Sequence, residues 1–307
     1  MEKTIYVPDI ECESCVKVLA RAFNKEEGIK HYTIKDDAVV FNFDESKISD
    51  EKIISLIKNH NFRASKEPFE RKTFNERMNN FKEHKNKYSM ELKVVSYSVS
   101  IFLILLFLEV FSYVLFLNRI PNFIENYAWW IFYLNISIAT LSMAYWHVSA
   151  YRTRITCMVG MMVGMTIGMQ TGLMIGAVMG AVNGFFVGAT VGMILGVIVG
   201  ALAGKCCGIM GVMEGMMAGL MGGTMGAMIT FMMFPDHIFW FMPLYMLVNI
   251  IILWGLSYML YEEVAENKQV QRAPMDFMSI ASISIIVAFV VLTIMINAPK
   301  SALFGVI

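Results

Sequence analysis

Residues 160–208 read GMMVGMTIGMQTGLMIGAVMGAVNGFFVGATVGMILGVIVGALAGKCCG, with a glycine at every fourth position throughout. After Gly208 the period slips by one residue and resumes at Gly211, Gly215, Gly219 and Gly223. In water such a segment would form poor helices, because each interior glycine costs about 0.5–1 kcal/mol relative to alanine. In a bilayer the backbone must satisfy its own hydrogen bonds, and small residues four apart let helix backbones approach closely. The stretch therefore predicts a tight bundle of membrane helices.

The composition divides the chain into a soluble part and a membrane part. The apolar fraction is 57% and the charged fraction 16%, and most of the charge lies in residues 1–93. This pattern predicts a soluble domain over 1–66, a charged connector helix over 67–92 and a transmembrane helical domain over 93–307. The net charge is zero and no basic patch is visible. A lipid bilayer is thus the expected partner, and nucleic acid is not.

The membrane part contains apolar spans of about 20 residues, the length that crosses a bilayer. We predict seven, near 94–117, 127–148, 155–181, 184–204, 207–233, 237–261 and 277–298. With seven spans the main groups of basic residues fall on one face, which places the N-terminus in the cytoplasm. Four tryptophans and a tyrosine at span ends are expected in the interfacial belt, namely Trp129, Trp130, Trp146, Trp240 and Tyr127.

The soluble part alternates strand and helix patterns. Apolar periodicity predicts strands at 3–9, 30–35, 38–43 and 61–66, with helices at 16–27 and 49–60. Ser49 is suited to cap the second helix. The order βαββαβ is that of an α+β, ferredoxin-like sandwich. No apolar run opens the chain, so a secretory signal peptide is not expected.

The chemistry of the soluble part lies in the first loop, Glu11-Cys12-Glu13-Ser14-Cys15. Two thiolates separated by two residues, before a helix N-terminus that favours negative charge, can hold one soft ion. A redox dithiol and an incidental pair are the alternatives. Since no signal peptide is expected, a reducing compartment is expected too, and there a metal or redox role is favoured over a structural disulfide.

Residues 3–66 resemble the heavy-metal-associated domain of copper chaperones and metal ATPases. The resemblance lies in Cys12 and Cys15 after the first strand, the βαββαβ order, and the closing segment Asn61-Phe62-Arg63-Ala64. It implies linear binding of Cu(I) by Cys12 and Cys15, and exchange with a soluble metallochaperone. Glu11 stands where that family usually has threonine. An acidic residue there resembles zinc- and cadmium-handling members, which implies Zn(II) as the alternative ion.

Two of the predicted spans combine a glycine face with a sulfur face. On the third span the sulfur face includes Met158, Met162, Met165 and Met169 together with Met161. On the fifth span it includes Met210, Met213, Met217 and Met221, continues through Met225, Met228 and Met232, and has Glu214 among its members. Cys157, Cys206 and Cys207 lie at the cytoplasmic ends of these faces. Thioethers and thiolates suit Cu(I) and suit hard ions poorly. The faces are interpreted either as a path for a soft ion or as flexible gap fillers beside glycine.

Two carboxylic acids lie inside predicted spans, Glu109 in the first and Glu214 in the fifth. Intramembrane carboxyl groups are costly and are often functional. Each is interpreted either as a charge-balancing or proton-linked group beside a cation path, or as a protonated carboxyl group bonded to a neighbouring helix.

Together these features predict a homo-oligomeric membrane protein, not an enzyme, that moves a soft metal ion, Cu(I) first. No nucleotide-binding loop is visible, so a channel or secondary transporter is expected. The adjacent Cys206 and Cys207 also resemble the pair in mercuric transport proteins, which implies Hg(II) transport as an alternative, beside the Zn(II) transport that Glu11 implies. The rival classes are a non-transporting metal sensor or storage protein and a thiol-disulfide electron carrier.

Overall fold

The computed structural model divides the chain into two compact units, residues 1–85 and 86–307. It describes the following residues: 2–8, 10, 13–26, 28–35, 38–43, 48–60, 62–68, 89–115, 117–119, 122–151, 157–233, 235–261 and 275–301. Most of the predicted connector over 67–92 lies outside these residues, and so does Cys12.

The first unit contains a three-stranded antiparallel sheet and two helices. The strands are β1 (Glu2–Tyr6), β2 (Ile29–Lys35) and β3 (Ala38–Phe43), in the spatial order β1-β3-β2. The helices are α1 (Glu13–Phe23) and α2 (Asp50–Asn59). The apolar sides of these elements form one core, which includes Leu19, Phe23, Phe41, Ile53 and Ile57.

Two of the predicted boundaries in this unit are wrong. Helix α1 begins at Glu13, so Cys15 lies in its first turn and not in the preceding loop. The strand predicted at 61–66 is reduced to a single antiparallel bridge between Tyr6 and Ser65, with backbone N–H···O distances of 2.9 and 3.1 Å. The bridge lies beside β1, where a fourth strand would pair. The predicted cap of α2 is confirmed, because the Ser49 hydroxyl accepts a bond from the Lys52 amide.

Asp50, in the first turn of α2, forms an ionic cluster with two lysines. Its carboxylate lies 2.9 Å from Lys66 Nζ and 3.1 Å from Lys3 Nζ. Hydrogen bonds from Lys66 and then Lys3 hold the pKa of Asp50 below its ordinary value of 3.8. A depressed folded pKa adds stability above the unfolded pKa, and this contribution is lost as pH falls through the folded value.

We expect Asp50→Asn to lower the stability of residues 1–85 at pH 7 by about 1 kcal/mol or less, since the cluster is partly solvated. The loss should shrink as pH falls below about 4. In that range the unfolded wild-type chain binds a proton at Asp50 before the folded chain does, which removes the stability that the carboxylate contributes. Urea denaturation followed by circular dichroism at several pH values measures this difference. Glu51→Gln, an exposed neighbour on the same helix, is the control. A pH-independent effect of Asp50→Asn would contradict the assignment.

The second unit is helical throughout its described part. Its helices are α3 (Ser89–Leu115), α4 (Phe123–Tyr151), α5 (Cys157–Gly204), α6 (Gly208–Met233), α7 (Ile238–Leu260) and α8 (Phe277–Asn297). Helix α5 is broken at Gly184, whose φ of 84° is one that side chains rarely adopt. We call residues 157–183 its first arm and residues 185–204 its second arm. The two arms form the hairpin that the sequence predicts near residue 183.

Four stretches of the described helices are long and apolar enough to cross a membrane. They are Lys93–Leu115, Met158–Met233, Ile238–Leu260 and Phe277–Asn297. The second of these includes both arms of α5 and the whole of α6, because only the break at Gly184 and the short turn Lys205–Cys207 interrupt it. The chain therefore has the character of an integral membrane protein.

Helix α4 lies at the centre of this unit, and it decides where the aromatic residues lie. Its buried side chains share one core with α3, the first arm, α7 and α8. Trp129 and Trp240 are exposed, as a belt requires, but Trp130, Trp146 and Tyr127 are buried. Trp146 donates a hydrogen bond to the Met275 carbonyl at 2.8 Å. These three residues therefore pack inside the unit, and their place at the membrane interface stays a prediction.

Candidate functional site

The glycines of the two arms and of α6 form a layered three-helix contact, which we call the glycine core. In four of the five layers each of the three segments contributes one glycine. The layers form because the glycines are four residues apart on both sides of the break at Gly184, and again after the turn at 205–207. The layers are Gly164/Gly204/Gly211, Gly168/Gly200/Gly215, Gly172/Gly196/Gly219, Gly176/Gly192/Gly223 and Gly180/Gly188/Ala227. The one-residue slip after Gly208 brings Gly211 opposite Gly204. The close approach that the repeat predicts is thus present in the fold.

The glycine core is filled by backbone atoms. A Cβ atom added to Gly168 would lie 2.5 Å from the Gly215 carbonyl oxygen and 3.0 Å from Gly200 Cα. A Cβ atom on Gly164 or Gly192 would lie 2.8 Å from a backbone Cα of the facing segment. Real Cβ atoms do not approach other atoms so closely, so the axis of the core has no room for even a methyl group. An ion cannot pass along it.

Two thiols close one end of the glycine core. Cys206 and Cys207 lie in the short turn between the second arm and α6, and their Sγ atoms are 3.7 Å apart. That distance is well beyond the S–S bond length of about 2.05 Å. Both sulfurs contact Gly160, since a Cβ atom there would lie 2.7 Å from Cys206 Sγ. Cys157 begins the first arm one turn before Gly160, and its side chain lies outside the described part.

The methionines of the predicted sulfur faces lie on the outer surface of the unit. On the first arm Met158, Met162 and Met165 are exposed and Met169 is partly buried. On α6 all four are more than half exposed, namely Met210, Met213, Met217 and Met221. The glycine faces of the same helices are turned inward. The methionines are therefore not part of the packing core, and within the described ranges of one copy they enclose no channel.

The two intramembrane carboxyl groups have different surroundings. Glu109 of α3 is partly buried and accepts a hydrogen bond from the Asn135 amide of α4. This is the bond to a neighbouring helix that one of the two sequence interpretations describes. Glu214 of α6 is exposed among the methionines of the outer surface. Of the two, only Glu214 lies among potential soft ligands.

Cys15 is buried in the first turn of α1, and Cys12 lies outside the described residues. The geometry of the Cys-x-x-Cys pair therefore stays a prediction. Within the described ranges, no group of three or more histidine, cysteine, aspartate or glutamate side chains is arranged to hold a metal ion. The described chain does bring two soft ligands together at Cys206 and Cys207, whose Sγ atoms are 3.7 Å apart.

Sequence reasoning missed two features of the membrane unit. Asn183 donates to the carbonyls of Met295, Ala298 and Pro299 at 3.1–3.2 Å, and so joins the hairpin of α5 to the end of α8. A cavity of about 220 Å³ lies between α4, α5 and α8, beside the 2.8 Å hydrogen bond from Ser284 to Ser142. The isolated asparagine within the apolar run was the available signal for the first feature, and no local pattern signals the second.

Comparison of the chain with protein-family models, with curated proteins and with solved structures finds no match. A functional assignment therefore depends on the residues described above.

Proposed function

We propose that this protein moves a soft metal ion, Cu(I), across a membrane, and that its Cys-x-x-Cys unit exchanges the ion with a soluble metallochaperone and with the membrane unit. The observation that carries the proposal is the pair of thiols, Cys206 and Cys207, at the end of the glycine core. Thiolate sulfur selects Cu(I) and other soft ions over hard ones.

The spacing of the two thiols suits a shared ion. Sulfurs that each bind one metal ion at about 2.3 Å stand about 3.8 Å apart in tetrahedral geometry and up to about 4.6 Å apart in linear geometry. The observed 3.7 Å separation is close to the tetrahedral value and about 0.9 Å short of the linear one. Gly160 supports this arrangement, because any larger residue would push against both sulfurs.

The first unit supplies the second element of the proposal. The resemblance to heavy-metal-associated domains is supported by the strand order β1-β3-β2 and by the bridge at Ser65 beside β1, which is the place of the fourth strand in a ferredoxin-like sheet. Cys15 lies at a helix N-terminus, where the helix dipole favours a thiolate. In this proposal Cys12 is its partner ligand, and Zn(II) bound with Glu11 is the competing outcome.

The proposed topology has seven crossings with the N-terminus in the cytoplasm. It is supported by the helix ends, since the break at Gly184 and the turn at 205–207 divide the stretch 158–233 into three segments of membrane-spanning length, which make six with α3, α7 and α8. Helix α4 (Phe123–Tyr151) is not among the four apolar stretches, and the proposal adds it as the seventh crossing. The positive-inside rule then sets the orientation. In this arrangement Cys157, Cys206 and Cys207 lie on the same side of the membrane as the Cys-x-x-Cys unit.

A second candidate function is metal sensing or storage without transport. The closed glycine core favours it, because a single copy encloses no ion path along this axis. Ion flux separates the two functions. In proteoliposomes containing the purified protein, a transporter admits Ag(I) or Cu(I) to an internal dye, whereas a sensor or storage protein binds the ion without flux.

We expect two separate cysteine sites for a soft metal ion in the purified full chain. Cys12→Ser/Cys15→Ser should remove one Ag(I) per chain, and Cys206→Ser/Cys207→Ser should remove another, because each pair binds independently. Metal analysis after desalting measures both losses, and the variant that combines all four changes is the control for additivity. A Cys206→Ser/Cys207→Ser chain that keeps its full metal content would contradict the proposed membrane site, and a preference for Zn(II) would contradict Cu(I).

We expect Met213→Leu/Met217→Leu/Met221→Leu to fold normally and to conduct less Ag(I). Methionine to leucine nearly conserves volume and usually costs less than about 1.5 kcal/mol, but it removes the thioether ligand. Flux in proteoliposomes measures the effect. The matched control is Met216→Leu/Met233→Leu, which removes two exposed methionines outside this set. Unchanged Ag(I) flux in the triple variant would contradict a role in conduction and would favour the alternative, in which these methionines only fill gaps beside the glycines.

A further inference from the structure

Helix α6 carries a straight stripe of exposed side chains opposite its glycine face, which we call the α6 seam. Its members are Met210, Glu214, Met217, Met221, Met225, Met228 and Met232. The intervals between them are four, three, four, four, three and four residues. Intervals of three and four keep side chains on one narrow face of a helix, as in the contact seam of a coiled coil.

Among the residues that the structure describes, the α6 seam has no partner within one copy. The opposite face of α6 is used up in the glycine core, where Gly215, Gly219 and Gly223 contact both arms of α5. The seam residues remain exposed along the whole helix, from Met210 at 56% to Met232 at 66%. Helix α6 is therefore packed on one side and open on the other.

Glu214 indicates that lipid does not cover this seam. It is the one charged residue between Lys205 and Asp236, and it lies about 10 Å along the helix from the turn that holds Cys207. Acyl chains offer a carboxyl group no hydrogen bond, and acidic side chains inside membranes face protein or water and pair with other polar groups. A second α6 supplies such a partner, because a twofold contact brings each seam residue close to its own counterpart, and two carboxyl groups bond to each other when they share a proton or a cation.

We propose that two copies of this chain pack through their α6 seams, so that Glu214, Met217 and Met221 of each copy form one carboxylate–thioether cation site between them. The dimer is inferred from the α6 seam alone, whereas the binding of a metal ion between the two copies rests on the proposed function. The site lies on the outer surface of each copy. Because the glycine core is closed, a path for the ion must run along such an outer surface. Thioethers supply soft ligands there, and the paired carboxylates supply the negative charge that a cation needs.

The dimer is tested by photo-crosslinking in membranes, without added metal. The full chain carries p-benzoylphenylalanine in place of Met217, Met221 or Met216. Met216 is the matched control, because it is an adjacent and exposed methionine of the same helix that lies outside the seam. We expect crosslinked dimers from positions 217 and 221 and monomers from position 216. Light scattering of the unmodified protein in mild detergent should give the mass of two chains.

Monomeric mass, or equal crosslinking from positions 216 and 217, would overturn the dimer. Flux without crosslinking would then leave the proposed function intact, whereas crosslinking without flux would support the dimer and count against transport. The shared site is tested by metal analysis of Glu214→Gln, which should lose one Ag(I) per two chains relative to the wild type. An unchanged Ag(I) content in a dimeric Glu214→Gln protein would overturn the shared site.

Discussion

Gly168→Ala should destabilise the membrane unit by about 1–3 kcal/mol, although alanine ordinarily stabilises a helix relative to glycine. The added methyl group would lie 2.5 Å from the Gly215 carbonyl oxygen and 3.0 Å from Gly200 Cα. Both are backbone atoms that cannot rotate away, so the three segments must separate. Thermal unfolding of the detergent-solubilised protein measures the loss.

Gly255→Ala is the matched control for this prediction. Gly255 also lies inside a helix, but a Cβ atom added to it meets no atom within 4 Å. The control should be neutral or should stabilise α7 by about 0.5–1 kcal/mol, because alanine loses less conformational entropy on folding than glycine. Equal effects of the two substitutions would show that the glycine core does not depend on close approach.

A leucine at the same positions should have a larger effect. Gly168→Leu or Gly219→Leu places a branched side chain between backbones that already touch, and Gly219 faces the backbone of Gly196 and Val197. We expect loss of the monodisperse folded protein on size exclusion. Normal thermal stability of both variants would contradict the layered packing.

Asn183→Leu should destabilise the membrane unit by about 3 kcal/mol. The Asn183 amide donates to the carbonyls of Met295, Ala298 and Pro299, at the end of α8 where helical partners are lacking. Leucine has a similar size but no donor, and each buried carbonyl that loses its partner costs about 1–3 kcal/mol. Lys300 still donates to the Met295 carbonyl, so the loss should fall mainly on Ala298 and Pro299.

Asn297→Leu is the control for this prediction. Asn297 is also an asparagine near the end of α8, but it is exposed, and its amide bonds only to the Thr293 carbonyl on the same helix. Its replacement should change the melting temperature little. If Asn183→Leu were equally mild, the contact between the α5 hairpin and α8 would not contribute to stability.

Local sequence patterns predicted the elements of both units well. The hairpin of β2 and β3, the Ser49 cap and the ends of α6, α7 and α8 all agree with the structure to within a few residues. These features depend on neighbouring residues, on helical or strand periodicity and on capping chemistry, so they can be predicted from one sequence alone. The strand predicted at 61–66 fails because its pairing depends on β1, which is distant in the sequence.

By itself, the sequence determined that glycines line one face of each segment between residues 157 and 233, and that methionines line the opposite face of the first arm and of α6. A repeat of four residues fixes which side chains share a helix face, whatever surrounds the helix. It also determined the break at Gly184, where glycine alone tolerates the positive φ without strain.

Only the tertiary structure decided what each face meets. The glycine faces close on one another in layers, and so the methionines and Glu214 of α6 lie outside while Trp130 and Trp146 lie inside. It also brought Asn183 to the end of α8, more than a hundred residues away in the chain. The physical reason is that periodicity describes one helix at a time, whereas burial depends on which other helices cover it, and that is set by packing among all of them.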